Sequence, residues 1–140
     1  MADILLLEPD SLLATAYCQA FEHEGHSVRL TVGAQDAVFQ IDERVPDVIV
    51  AELQLVAHSG IEFLYELRSY AEWQATPVII HSAIPPAEFS DSAMLLRHRL
   101  GVVAYLYKPH TTLRTLLRAV REHGAGAPLI AGPASSSILP

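Results

Sequence analysis

"PDVIVAELQLVAHSG" (residues 46–60) contains, in order, a strand, a charged strand end and a helix start. The run "VIVAEL" (48–53) opens with four apolar residues, three of them β-branched, after the turn-like Pro46-Asp47. Such a run reads as a strand buried on both faces, as in a parallel sheet covered by helices. Glu52 sits at its end, where an unpartnered charge is costly. Ser59 and Glu62 then stand at the spacing of a capping box, so a helix begins there with Ile61, Leu64 and Leu67 as its apolar stripe.

The same unit recurs along the chain. "ILLL" (4–7), "SVRL" (27–30), "PVIIHSA" (77–83) and "VVAYLY" (102–107) are further short apolar runs, each followed by a helix-like stretch. Asp10 or Ser11 caps the first helix, which turns Leu13, Tyr17, Ala20 and Phe21 to one side and ends near Gly25. The second spans about residues 34–44, with Ala37, Val38 and Ile41 inward. Pro85-Pro86 opens a fourth, since proline suits a first turn. Thr111 or Thr112 opens a fifth, with Leu113, Leu116, Leu117 and Val120 inward and a stop near Gly124. Five β-α units imply an α/β fold, a (βα)5 doubly wound parallel sheet with right-handed crossovers. Residues 1–123 form one domain, and "GAGAPLIAGPASSSILP" (124–140) reads as a flexible tail.

Composition narrows the function. No apolar run is long enough to span a bilayer, and "MADILLLEPD" (1–10) lacks a basic signal-peptide start, so a cytoplasmic protein is expected. The single cysteine, Cys18, excludes an internal disulfide framework and a cysteine-built zinc site; it reads as a small core residue. A net charge of −7 disfavours direct nucleic-acid binding. The charge is uneven, however. Residues 1–96 hold three arginines against fifteen acids, whereas residues 97–123 hold Arg97, Arg99, Lys108, Arg114, Arg118 and Arg121 against Glu122 alone. The second segment is either a solvated face or a basic docking face for an acidic partner.

In an open parallel sheet, chemistry gathers at the carboxyl ends of the strands. Those ends carry Glu8, Pro9 and Asp10; Glu52; His81 and Ser82; and the only lysine, Lys108, followed by Pro109. Lys108 is expected to pair with Glu52, because each buried charge needs a partner. His81 should face away from Ser82. His58 and His110 read as loop residues at the rim, and no spacing supports a metal site with them. Neither a P-loop nor G-x-G-x-x-G is present. Ser82, His81 and Glu52 are the residue types of a hydrolase triad, but no nucleophile elbow surrounds Ser82, so no enzymatic activity is expected.

Four ordered stretches, "ILLLEPD", "PDVIVAELQLVAHSG", "TPVIIHSA" and "GVVAYLYKP", together resemble the receiver domain of two-component response regulators, from residue 3 to about 123. The resemblance implies the CheY-like, flavodoxin-like strand order 2-1-3-4-5. In that family the first strand ends in two acids that bind magnesium, the third in an aspartate that accepts phosphate, the fourth in Thr or Ser, and the fifth carries an aromatic residue and Lys-Pro. By this resemblance Glu8 and Asp10 belong to the acidic pocket, Ser82 and Tyr105 to the switch, and Lys108-Pro109 to the phosphate-contacting corner. The resemblance also implies a cis Lys108–Pro109 peptide; X–Pro bonds alone adopt that form readily, and the residues leave both isomers open.

The match fails at the chemistry. Glu52 stands where the family has its phosphoacceptor aspartate, Pro9 where it has the metal-binding second acid, and Val56 where it has a proline. Glutamate reaches about 1.5 Å further than aspartate, and proline offers magnesium no side-chain oxygen. These substitutions point to an atypical pseudo-receiver with weak or absent magnesium binding, no cofactor and no metal. It acts in two-component signal transduction by phosphorylation-independent protein contact. Its expected partner is a protein in trans, a histidine kinase or an output protein. The expected surface is the fourth helix, fifth strand and fifth helix, with Arg97, Arg99, Tyr107, Arg114 and Arg118, which the family also uses to form homodimers. One alternative is a phosphorelay receiver modified at another acid such as Asp10. A second is a flavodoxin-like small-molecule binder, which would need a pocket between strands one and three.

Overall fold

The computed structural model describes residues 1–124. Five parallel strands form one sheet in the order β2-β1-β3-β4-β5: β1 (Asp3–Leu7), β2 (Ser27–Thr31), β3 (Val48–Ala51), β4 (Val78–Ser82) and β5 (Val102–Tyr107). The α-helices are α1 (Ser11–His23), α2 (Ala34–Glu43), α3 (Gly60–Arg68) and α4 (Leu113–His123). The tail expected over 124–140 lies, apart from Gly124, outside the described residues. No helix among the described residues is long and apolar enough to cross a membrane.

The central strands are buried at every position of β3 and β4; β3 is apolar throughout, and β4 is apolar until His81 and Ser82 at its carboxyl end. Each face of the sheet carries its own core. Phe63, Leu64 and Leu67 of α3, with Ala37 and Ile41 of α2, close one face; Phe21 of α1 and Leu116 and Val120 of α4 close the other. Phe21 and Phe63 are fully buried, and each contributes about 1.5–3 kcal/mol by removal from water. Cys18 lies partly buried against the second core.

The helix starts follow their caps. Asp10 Oδ1 accepts from the backbone N–H groups of Leu12 and Leu13, at 3.0 and 3.1 Å. Ser59 and Glu62 form the reciprocal capping box. Gly60, the first residue of α3, must be glycine because a Cβ there would overlap the Leu53 backbone. Thr112 caps α4.

Two expectations are corrected. The segment after Pro85-Pro86 is not an α-helix: Pro86–Ser92 is a 3₁₀ run broken at Phe89 (φ −115°), and Leu95–Arg99 forms a π-helical turn. Ser90, Asp91 and Ser92 are weak helix formers, a class whose side chains favour caps and turns over helix interiors, so this stretch lacks the residues that hold a regular helix. Leu113 is exposed rather than inward, because it is the first residue of α4 and precedes the buried stripe.

Candidate functional site at the carboxyl end of the sheet

β1 and β3 are hydrogen-bonded neighbours, so the residues following them, Glu8 and Glu52, emerge side by side. Glu8 is 2% and Glu52 4% exposed. Lys108, directly after β5, reaches across β4 and places Nζ 2.8 Å from Glu8 Oε1 and 2.7 Å from Glu52 Oε1. The expected Lys108–Glu52 pair is thus a triad, with Glu8 as a second carboxylate on the same ammonium.

Glu52 has all its acceptor positions engaged. Oε1 takes Lys108 Nζ and the backbone N–H of Ala83 at 3.2 Å; Oε2 takes the Gln54 N–H at 2.9 Å and the Ser82 hydroxyl. A carboxylate accepts about four hydrogen bonds, so none is left for a further ligand. Burial pushes the Glu52 carboxyl up, but the hydrogen bonds from Lys108, Ser82 and Gln54, with the lysine charge, leave it below the usual carboxylate range. Burial pulls Lys108 down, and its bonds to Glu52 and Glu8 leave it above the ordinary lysine value. Both directions describe an ionised Glu52–Lys108 pair.

The network runs on into the β4–β5 connection. Ser82 Oγ accepts the Ile84 N–H at 3.0 Å, and the Tyr105 hydroxyl donates to the Ile84 carbonyl at 2.6 Å. Tyr105 is inward, 6% exposed, and burial pushes its hydroxyl up to about 12. Of the switch residues named from the sequence, Ser82, Tyr105 and Lys108 are therefore linked through Glu52 and Ile84. The backbone groups of Ala83 and Ile84 carry that link and left no side-chain signal in the sequence.

Other site residues fall elsewhere. Asp10 does not join the pocket: its carboxylate caps α1, and only its backbone N–H reaches Glu8 Oε2, at 3.1 Å. Its place one residue beyond Pro9 turns it onto the helix start. Pro109 is exposed, and its bond to Lys108 is trans, as is every peptide bond among the described residues. His81 faces away from Ser82 and sets its ring against Tyr17, with centroids 5.0 Å apart. Its Nδ1 is buried without a partner, and burial, reinforced by the Lys108 charge, lowers it to about 4. His58 lies beside Glu62 at 3.9 Å, and His110 sets its edge on Tyr107. Arg97, Arg99, Arg114 and Arg118 are exposed, and Tyr107 is half-buried.

The residues present do not fit a magnesium ion. That ion requires near-octahedral oxygen ligation. Pro9 supplies no side-chain oxygen, Asp10 is committed to α1, and Glu8 and Glu52 converge on an ammonium instead. Among the described residues no three acidic, histidine or cysteine side chains cluster to hold a metal. A cleft of about 340 Å³ does lie over the β1–β3 boundary, lined by Pro9, Val32, Ala34, Leu55, Val56 and His58. Its walls are mainly apolar side chains.

The profile of the response regulator receiver domain matches residues 4–121. The chain is similar to the KDP operon transcriptional regulatory protein KdpE of Escherichia coli, 34% identical over 128 residues that cover 89% of this chain and 54% of KdpE. It is 28% identical to the transcriptional regulatory protein ZraR of Salmonella typhimurium over 132 residues, which cover 90% of this chain and 29% of ZraR. The chain thus spans about half of the first relative and under a third of the second. Among solved structures, the receiver domain of Francisella response regulator 1452 superposes with a TM-score of 0.74 at 28% identity, covering 87% of this chain and 95% of that one. Chemotaxis response regulator CheY4 of Vibrio cholerae gives 0.76 at 19% identity, covering 87% and 98%, a likeness of fold.

Proposed function

This chain belongs to the response regulator receiver domain family, and from that premise we propose that it is a receiver whose state is set by Glu52 rather than by a phosphoryl group, and which signals by protein contact. The carrying observation is the saturated Glu52 carboxylate, held by Lys108, Ser82, Gln54 and Ala83 at the end of β3. Lys108 and Ser82 are the groups that the family directs at the phosphoryl oxygens; here they are already satisfied by a side chain. The mimicry is partial, with a charge of about −1 against −1.5 to −2 for a phosphate. Tyr105 is inward and tied to the same network, which supports a site held in one signalling state.

Phosphoryl transfer needs an in-line acceptor and metal charge on the transferring group. Glu52 is one methylene too long, and Pro9 and Lys108 stand against the metal. Magnesium binding is accordingly weak or absent in this reading, and the chain performs no catalysis. The alternative acceptor, Asp10, is disfavoured by its two bonds to the start of α1. Acetyl phosphate with magnesium tests the proposal by intact-protein mass. The wild type should gain nothing, and Pro9→Asp with Glu52→Asp should gain one phosphoryl group. A stable adduct on the wild type sinks the reading.

A further inference from the structure

The end of the sheet opposite Glu52 carries a second concavity, between the last turn of α3 and the turn that enters β5. We propose that this cleft is a binding site for a small phosphate ester with a polar, sugar-like body. It encloses about 780 Å³, a size that suits a small-molecule ligand. Tyr65, Arg68, Ser69, Gln74, His98 and Arg99 line it, and no aspartate or glutamate joins them. Two permanent positive charges thus border one concavity in a chain of net charge −7.

Other cations of the chain meet acids. Arg29 and Arg44 both bind Asp3, Arg121 binds Glu24, and Lys108 binds Glu8 and Glu52. A cleft beside Arg118 also holds Glu122. Arg68 and Arg99 differ: among the described residues neither has a carboxylate within 4.0 Å. Arg68 donates to the carbonyls of Leu100, Trp73 and Thr76, which fix the guanidinium without neutralising it. Burial lowers it below its ordinary value, as expected of a charge with no counter-ion beside it. Gly101 lets the chain close on that cation, since a Cβ there would overlap the guanidinium. Arg99 is exposed at the end of the π-helical turn.

The donor set favours phosphate over carboxylate. A phosphate monoester carries a charge of about −1.5 to −2 and three strong acceptor oxygens, which balances two guanidinium groups; a carboxylate leaves one of them uncompensated. The guanidinium fork also matches phosphate oxygens in pairs. The cleft is larger than a phosphate, and the rest of its wall is polar. Gln74 gives one amide N–H to the Arg68 carbonyl at 3.2 Å, which leaves its second N–H and its oxygen for a ligand. The Ser69 hydroxyl donates to the Glu66 carbonyl at 2.6 Å and can still accept. Tyr65 adds a hydroxyl and a ring face. Alternating donors and acceptors of this kind suit the hydroxyl groups of a sugar.

The test titrates the full chain with glucose 6-phosphate, glucuronate, glucose and inorganic phosphate, read by isothermal calorimetry and by the melting temperature. Glucose 6-phosphate should bind most tightly of the four, raise the melting temperature and lose affinity at high salt. Arg99→Gln should weaken it by about tenfold. The unliganded variant should melt as the wild type does, because Arg99 is exposed. Tyr65→Phe and Gln74→Ala should weaken glucose 6-phosphate and leave the weaker inorganic phosphate unchanged. Arg44→Gln, at the same end of the sheet but outside the cleft, should leave the affinity as it is. No binding of glucose 6-phosphate at millimolar concentration overturns the proposal. So does equal binding of glucuronate, glucose or inorganic phosphate, or an equal loss in Arg99→Gln and Arg44→Gln, which would reduce the effect to general charge attraction.

Discussion

Two of the cations packed into this domain, Lys108 and Arg68, lie at opposite ends of the sheet and are satisfied in different ways. Lys108, at the carboxyl end, sits between two buried carboxylates. Arg68, the last residue of α3, meets no carboxylate: Nε donates to the Leu100 carbonyl at 2.9 Å, Nη1 to Trp73 at 2.7 Å and Nη2 to Thr76 at 2.6 Å. Both ends fasten the same irregular connection. The Glu52 cluster takes the N–H groups of Ala83 and Ile84 where it leaves β4, and Arg68 takes the Leu100 carbonyl where it enters β5. Carboxylates titrate and can be replaced by another anion; main-chain carbonyls cannot. The carboxyl end is therefore the adjustable fastening and the Arg68 end the fixed one.

Removing Lys108 gives the largest expected effect. Lys108→Met leaves Glu8 and Glu52 buried without a counter-charge, and breaking a buried pair costs about 3–5 kcal/mol. Urea unfolding at pH 7 should show that loss. Because part of it arises from an ionised Glu52, which Lys108 helps to hold below its usual range, the gap to wild type should narrow as the pH falls and Glu52 takes up a proton. Arg68→Met should cost less, about 2–3 kcal/mol, for the buried Leu100 and Thr76 carbonyls left without a donor at roughly 1–1.5 kcal/mol each, while the Trp73 carbonyl keeps the Thr76 N–H. That gap should hold across the same pH range. A Lys108 gap that stays constant with pH, or an Arg68 gap that closes, would break the contrast between the two ends.

The difference between the ends also explains what could be read from the sequence. Strands announce themselves by apolar runs such as Val48–Ala51, and helix starts by Asp10, Ser59 and Thr112. The residue types around Glu52 are legible because charges at strand ends need partners, and Lys108 is the only lysine. Arg68 is not legible. An arginine in the last turn of a helix reads as solvated, and carbonyl partners from two separate segments, the α3–β4 connection and the turn before β5, leave no residue pattern. Gly101 was the available trace: its φ is +68°, and a Cβ there would overlap the Arg68 guanidinium. Asp10 was legible twice, as a cap and as a pocket acid, and two nearby backbone N–H groups decided for the cap. The 3₁₀ and π turns after Pro86 escaped because prolines mark a helix start without saying whether the following residues sustain it.

A smaller effect tests the carboxyl end from behind the sheet. His81 is buried against Tyr17 and protonates in the folded protein only near pH 4, whereas an unfolded histidine does so near 6.5. Between those values the unfolded chain binds more protons, so stability falls as the pH drops through that window. At pH 5 the loss is on the order of 2 kcal/mol. Glu52, held below its ordinary range, acts in the same direction at lower pH. Thermal melts between pH 7 and 5 should therefore decline in the wild type and decline less steeply in His81→Phe, with a residual slope from His26 and His123, which burial also holds below the ordinary histidine value. An unchanged slope in that variant would assign the pH dependence elsewhere.

The smallest effect concerns how far the Glu52 network reaches. Tyr105→Phe keeps the ring beside Phe89, 6.0 Å away between centroids, and deletes the hydroxyl that donates to Ile84. One hydrogen bond of this kind contributes about 1 kcal/mol, and Ile84 remains held through its N–H by Ser82. Global stability should change little, so the informative measurement is local hydrogen exchange. The Ile84 amide should exchange faster in the variant, because its carbonyl no longer anchors the turn. The Leu100 amide, bonded to the Leu95 carbonyl beside Arg68, should keep its protection. Faster exchange at both positions would mean that the connection moves as one body and that its two fastenings are not independent.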